Sequence, residues 1–219
     1  MDRAEIRAEV RRFLDDTVEP YEISDTAINS RIDEAINEAC TRADLILDSS
    51  SSICDISVVA GTSEYATSPL IIDIHRARLP SAKKPLHKLG YKALDDEDGE
   101  WASRTGTPEA YILDMDTNKL VLYPTPKIDE TLNMTVRRLP ETGLADDDSE
   151  PEFAKTYHYD LIYWVLHLTY LTRDSEIFDQ KASDRYESIF ERRFGPRRTA
   201  LQIERNKRSY RRRGKAQWL

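Results

Sequence analysis

Apolar positions recur at helical spacing near both ends of this chain and at strand spacing through its middle. Ile6, Val10, Phe13 and Leu14 fall on one helical face, and Asp15 and Asp16 end that first helix. Ser24 suits the N-cap of a second helix with the stripe Ile28, Ile32, Ala35, Ile36, Ala39 and Ala43, which predicts Arg31, Asp33, Glu34 and Glu38 on the wet face. The two helices should pair. Ser49 to Ser52 reads as a linker. Ile53 to Ala60 then reads as a strand that turns at Gly61 toward Tyr65. Leu70, Ile71, Ile72 and Ile74 predict a mostly buried strand continuing toward Leu79, where Pro80 stops it.

The stretch from Gly106 to Pro140 predicts a β-hairpin. Ile112, Leu113 and Met115 run into Asp116, Thr117, Asn118 and Lys119, and Leu120, Val121, Leu122 and Tyr123 follow. Pro124 and Pro126 break the second strand because proline has no N–H for a ladder. Leu132, Met134 and Val136 then alternate with polar residues as a third strand, so the expectation is a three-stranded meander. Further on, Ser149 and Glu152 are spaced as a capping box for a helix from about Glu150 to Thr172. Phe153, Tyr157, Leu161, Trp164, Leu168 and Leu171 form one stripe of it, and Tyr159, Ile162, Tyr163, Leu166 and Tyr170 another, so it should be buried nearly all round. Because tyrosine and tryptophan are enriched where proteins meet, Tyr159, Tyr163 and Tyr170 are candidates for a subunit interface as well as for core. A last amphipathic helix follows with Ile177, Phe178, Tyr186, Ile189, Phe190 and Phe194. Gly195-Pro196 punctuates it before a helical extension to about Arg208.

A chain of 219 residues can bury about 70% of its unfolded surface and needs no staple or cofactor to fold. Apolar runs stay short of a membrane span, and the charged start MDRAEIRAEVRR has no signal-peptide core, so a soluble, non-secreted protein is expected. Cys40, on a helix, and Cys54, at a strand start, lack metal-ligand or redox spacing and read as structural thiols of a reducing cytosol. Charge becomes informative when the chain is divided. Residues 1–190 hold 21 Lys and Arg against 38 Asp and Glu, a balance of −17, while residues 191–219 hold 11 against 2, a balance of +9. Such asymmetry marks an interaction tail.

The residues that could carry chemistry do not assemble into a catalytic pattern. The phosphate loop, the serine elbow and the His-Glu-x-x-His zinc motif are all missing, and His75, His87, His158 and His167 are scattered. His158 and His167, nine residues apart on a helix, would point about 180° from each other and read as packing or surface residues. The acidic run Asp95, Asp96, Glu97, Asp98 and Glu100 lacks the alternating ligands and closing glutamate of a calcium loop. No enzyme, metal or cofactor is expected. The tail, ERNKRSYRRRGKAQWL, instead combines basic and aromatic groups: Arg208, Arg211, Arg212 and Arg213 with Tyr210, Trp218 and Leu219.

Three segments together resemble a known family. They are Val-Ala-Gly-Thr-x-x-Tyr at Val59–Tyr65, Gly-x-Pro-x-x-Tyr from Gly106 followed by a hairpin and Leu-Tyr-Pro-x-Pro from Leu122, and the entry EPEFAKTYHYD into an aromatic helix and an Asp-x-Glu turn. In that last segment the matching positions are Pro151, Tyr157, His158, Asp160, Asp174 and Glu176. Their succession, over residues 4 to about 195, resembles the head-to-tail adaptor (connector) proteins of tailed bacteriophages, including the type called tail tubular protein A. The resemblance implies a structural virion protein that forms a ring, dodecameric, under the portal at the head–tail junction. Its implied partners are the portal protein, neighbouring adaptor subunits, a tail nozzle or other tail proteins, and phage DNA passing through the lumen without sequence-specific binding, with no membrane. Assembly would take place in the host cytoplasm.

The fold expected is α+β: a helical bundle of residues 1–48 and 150–204, a small antiparallel β-domain inserted at 49–149, and an extended basic arm at 205–219. In that arm Arg208, Tyr210, Arg211, Arg212, Arg213, Trp218 and Leu219 are the candidate portal-binding residues. The alternative is a nucleic-acid-binding protein whose basic aromatic tail grips phosphate and stacks bases.

Overall fold

Two compact units make up the chain in the computed structural model, which describes residues 1–172 and 177–208. One unit is Met1–Ile46 with Arg138–Arg198, and the other is Leu47–Arg137 with residues 199–208. The class is α+β.

In the first unit, α1 (Arg3–Leu14) starts at Asp2, whose carboxylate accepts the Glu5 N–H while Glu5 reaches back to the Asp2 N–H, and it ends at Asp15 in the left-handed conformation. α2 (Asp25–Ala43) is capped by Ser24, whose Oγ accepts the Ala27 N–H at 3.2 Å, as its sequence predicts. Ile6, Val10, Ile28, Ile32, Ala35 and Ala39 are fully buried together. The loop between the helices is organised by Arg11, which donates to Asp16 at 2.7 Å, to the Ile23 carbonyl at 2.9 Å and to Asp25 at 2.5 Å. Glu38 departs from expectation: it is buried, not wet, and accepts from Arg42 Nε at 2.8 Å. An acid on the apolar side is tolerable only when paired in this way.

The expected helix from Glu150 to Thr172 is corrected. α4 is only Leu161–Tyr170, preceded by an irregular stretch with a short 3-10 turn at Lys155–Tyr157. Glu150 precedes Pro151, and a residue before proline is disfavoured in the α conformation. The capping box does not form either. Ser149 Oγ accepts the Asp146 N–H, and Glu152 accepts from Arg138 at 2.7 Å and from the Glu141 N–H at 2.9 Å. α4 itself is surrounded as expected, since none of its ten residues is exposed. α5 (Gln180–Phe194) starts at Asp179, which accepts the Lys181 and Ala182 N–H groups, and ends at Gly195, whose φ of 89° needs a residue without Cβ. Ile177 and Phe178, predicted inside it, lie just before it.

In the second unit, β1 (Ile46–Asp48), β2 (Asp55–Val58), β4 (Ile71–Arg78) and β10 (Glu130–Arg138) form one sheet in which β10 pairs with the other three. β3 (Glu64–Ala66), β8 (Lys119–Tyr123), β7 (Ala110–Ile112) and β5 (His87–Leu89) form a second sheet in that order. The hairpin is present, with Tyr111 opposite Leu122. The meander is corrected: the third strand, β10, joins the other sheet and pairs with β2, Leu132 facing Ile56. After β8 the chain runs through the short β9 (Thr125–Pro126), which pairs with β6 (Thr105–Gly106), so the proline-bearing segment leads away instead of folding back. The sheets are mixed, not purely antiparallel, because β5–β7 and β6–β9 are parallel.

Alternation explains the packing. Leu120, Leu122 and Tyr111 point toward Val58, Ile74, Leu132, Met134 and Val136 of the first sheet. Val121, Ala110 and Ile112 point the other way, with Leu89 and with Leu94 of α3 (Tyr91–Glu97). The strand at Leu70–Ile74 is less buried than predicted, since only Ile74 and Ala77 of β4 are covered. α6 (Ala200–Arg208) matches the expected extension.

Ile32→Ala removes a fully buried side chain and should cost about 2–5 kcal/mol in urea unfolding of the full chain. Asp147 offers a pH test. Hydrogen bonds from Arg7 at 2.7 and 2.9 Å, followed by the nearby charges of Arg7 and Arg3, hold its carboxyl down to about 2. A depressed folded-state value means that the stabilisation is fully present above the ordinary carboxyl range and is lost as pH falls through about 2. Asp147→Asn should therefore melt earlier than wild type at pH 7, and the gap should close between about pH 4 and pH 2.

Candidate interaction surface

Tyr163 and Tyr170 are seven residues apart and share one face of α4, half-buried. Tyr186 of α5 comes up against both: it is stacked on Tyr170 with ring centroids 5.7 Å apart and planes 8° apart, and on Tyr163 at 6.3 Å and 17°. Tyr159 meets Tyr163 edge-on at 6.2 Å, and Phe13 of α1 meets Tyr186 edge-on at 6.5 Å. Five rings thus form one continuous aromatic face. Each such pair is worth about 0.5–1.5 kcal/mol beyond its buried area. Tyr159, at 39% exposure, is its most open member, and Arg12 lies over Phe13 at 5.0 Å. Partial burial pushes the Tyr163 and Tyr170 hydroxyls above their ordinary range, so they remain neutral donors.

The three tyrosines singled out in the sequence are therefore together, but what joins them is Tyr186, which periodicity marks only as an apolar-face residue of the last helix. Trp164 points elsewhere, into the core, between Phe190 at 5.0 Å and His167 at 4.8 Å and under the Arg42 guanidinium at 4.8 Å. Of the candidate arm residues, Arg208 is the last residue of α6, while Tyr210, Arg211, Arg212, Arg213, Trp218 and Leu219 lie outside the described residues, as do Asp174 and Glu176. The segment leading toward the arm is tied to the C-terminal end of α2. The Gly195 carbonyl accepts from Arg42, Arg197 pairs with Glu38 at 3.4 Å, and Arg198 pairs with Asp44.

His158, His167, Asp95 and Asp98, which the sequence offered as candidates for chemistry, have structural partners. His158, which is not helical, is fully buried and bonded to the Phe153 carbonyl at 2.9 Å and to the Met1 backbone. His167 is bonded to Ser183 Oγ at 2.9 Å. In the acidic run, Asp95 accepts from the Trp101 indole at 2.6 Å and Asp98 pairs with Arg104 at 2.9 Å. No group of three or more metal-ligating side chains forms among the described residues, and none of their helices is long and apolar enough to cross a membrane.

The shared motifs also gain a physical meaning. The Tyr65 hydroxyl accepts the Val59 N–H at 3.1 Å and donates to the Thr62 carbonyl at 2.6 Å, closing the Val-Ala-Gly-Thr turn in which Gly61 has φ 81°. The Tyr111 hydroxyl donates to the Ile74 carbonyl, joining the two sheets through the second motif. Both tyrosines shape the fold rather than present a reactive group.

Tyrosine and arginine are enriched where proteins meet, so a partly exposed tyrosine face with an arginine beside it suits a contact surface. The family model described as SU10 adaptor protein matches residues 1–215, and the chain belongs to that family. It is thus a bacteriophage structural adaptor and a component of the virion, in agreement with the resemblance drawn from the sequence. No curated protein matches it.

Trp164→Ala should cost about 3–5 kcal/mol in urea unfolding. Tyr170→Ala, at a half-buried position, should cost clearly less. Equal losses for the two would show that Tyr170 is as much a core residue as Trp164.

Proposed function

We propose that this adaptor assembles as a dodecameric ring beneath the portal, joins the DNA-filled head to the tail and lines the channel through which the DNA passes. The observation that carries the reading is the family match over residues 1–215. The charge pattern supports it, because the −17 balance of residues 1–190 suits a wall that must not hold the duplex during packaging and ejection. Tyr159, Tyr163 and Tyr170, joined through Tyr186, serve as an intersubunit face. Residues 205–219 act as the portal-binding arm: the arginines steer it to an acidic portal surface, and Tyr210, Trp218 and Leu219 are its desolvated anchors. Tail proteins bind the opposite end of the ring.

Like-charged subunits resist closing a ring unless a partner supplies compensating contacts, so the free protein should be mainly monomeric and rings should form on the portal. Electron microscopy of the protein alone and mixed with its portal tests this, and stable rings at low concentration without portal would count against it. Deleting residues 205–219 should leave the melting temperature unchanged and abolish portal binding, with a weaker defect for Trp218→Ala. Full binding by the truncated protein would sink the assignment of the arm. The 11 to 2 excess of basic residues beyond position 190 favours a second reading, in which the tail binds nucleic acid. With about five phosphate contacts, affinity for DNA would then fall roughly 500-fold between about 50 and 200 mM salt.

A further inference from the structure

The outer face of α5 holds cations that the fold does not use. At 100° per residue, Phe190 and Phe194 lie within about 20° of the buried Ser183, whereas Lys181, Arg185, Ser188 and Arg192 all lie within about 40° of the opposite direction. All four are exposed, along about 16 Å of helix. The contrast with the neighbouring arginines is sharp. Arg193 pairs with Asp160 at 3.3 Å, Arg197 with Glu38 and Arg198 with Asp44, while Lys181, Arg185 and Arg192 have no ion pair among the described residues.

A complementary feature sits on another element of the same unit. The Asp146–Asp148 segment is fastened to the first turn of α1 by backbone bonds, Arg3 N–H to the Ser149 carbonyl and Ala4 N–H to the Asp147 carbonyl, both at 3.0 Å. Only the middle carboxylate is consumed there, by Arg3 and Arg7. Asp146 and Asp148 are exposed and have no ion pair among the described residues.

We propose that Lys181, Arg185 and Arg192 of one copy dock onto Asp146 and Asp148 of the next. The inference rests on the ring reading and deepens it, since a cyclic assembly must join two different patches of one chain and these two are opposite in sign. In a chain of net charge −8 such a local attraction also offsets the general repulsion between copies. A duplex is the poorer occupant of this face. The acidic Glu191 lines the same hollow as Arg185, Ser188 and Arg192, and the Ser188 hydroxyl is already given to the Asp184 carbonyl at 2.9 Å.

The test is a charge exchange in the full chain. Arg185→Glu with Arg192→Glu, and separately Asp146→Lys with Asp148→Lys, should each raise the concentration needed for half-maximal ring formation on the portal roughly tenfold, with unchanged melting temperature. The four substitutions combined should restore it to within about threefold of wild type. Either pair acting without effect, or a combination that fails to recover, overturns the proposal while wild-type rings leave the ring reading intact. If the arginine pair keeps its rings but loses retention of a 30-base-pair duplex at low salt, the face is a nucleic-acid contact and the proposal is wrong. A wild-type chain that forms no ring with or without portal overturns the ring reading and this docking with it.

Discussion

Seven of the ten residues Leu161–Tyr170 are buried and none is fully exposed, and the helical unit is what surrounds them. α2 and α5 take most of the contact and α1 the rest, so Ile28, Ile32, Ala35, Phe190 and Phe194 are buried through the same helix that hides Ile162, Val165 and Leu166. This is hydrophobic burial with little recourse to polar pairing. The charged groups near the core are there to hold connections: Arg42 between Glu38 and the Gly195 carbonyl, Arg11 under the loop to α2, and Asp147 between Arg3 and Arg7. Each bridges two segments that are distant in the chain or separated by a loop.

The second unit solves a different problem, because its strands are short and its pairings mostly non-local. β10 is the long member and pairs with β1, β2 and β4, which come from far earlier in the chain. Two apolar layers result, one between the sheets and one beneath α3. The tyrosines of the two β-motifs each fix one connection. Tyr65 fixes a turn at the end of β2, and Tyr111 reaches from one sheet to the other.

What could be read from the sequence follows the range of the forces involved. α1, α2 and their ends are local matters of spacing and capping, so Ser24 and the stripe from Ile28 to Ala39 are legible without a structure. So is the hairpin at Tyr111–Leu122. The partner of β10 is not, since alternation at Leu132, Met134 and Val136 gives a face but no neighbour. Residues 150–160 mislead because Ser149 and Glu152 have the spacing of a cap, while the groups that claim them, Asp146 for one and Arg138 and Glu141 for the other, win by tertiary placement. The aromatic face was half legible. Tyr159, Tyr163 and Tyr170 stand out by composition, but Tyr186 joins them only through packing of α5 on α4.

Both native thiols are shut away: Cys40 is 0% and Cys54 1% exposed, and burial pushes the Cys40 thiol up to about 12 and raises that of Cys54. Thiolate is the species that reacts with maleimides and haloacetamides, so neither side chain competes for such reagents while the fold is intact. The wild-type background is in effect already cysteine-free to a label. A single cysteine placed on a surface position becomes the one reactive handle, which opens the chain to fluorescence energy transfer between copies and to spin-label distances without first removing residues from the core. The same two thiols also form a built-in reporter of unfolding, because their alkylation can begin only when the helical or the β-core opens.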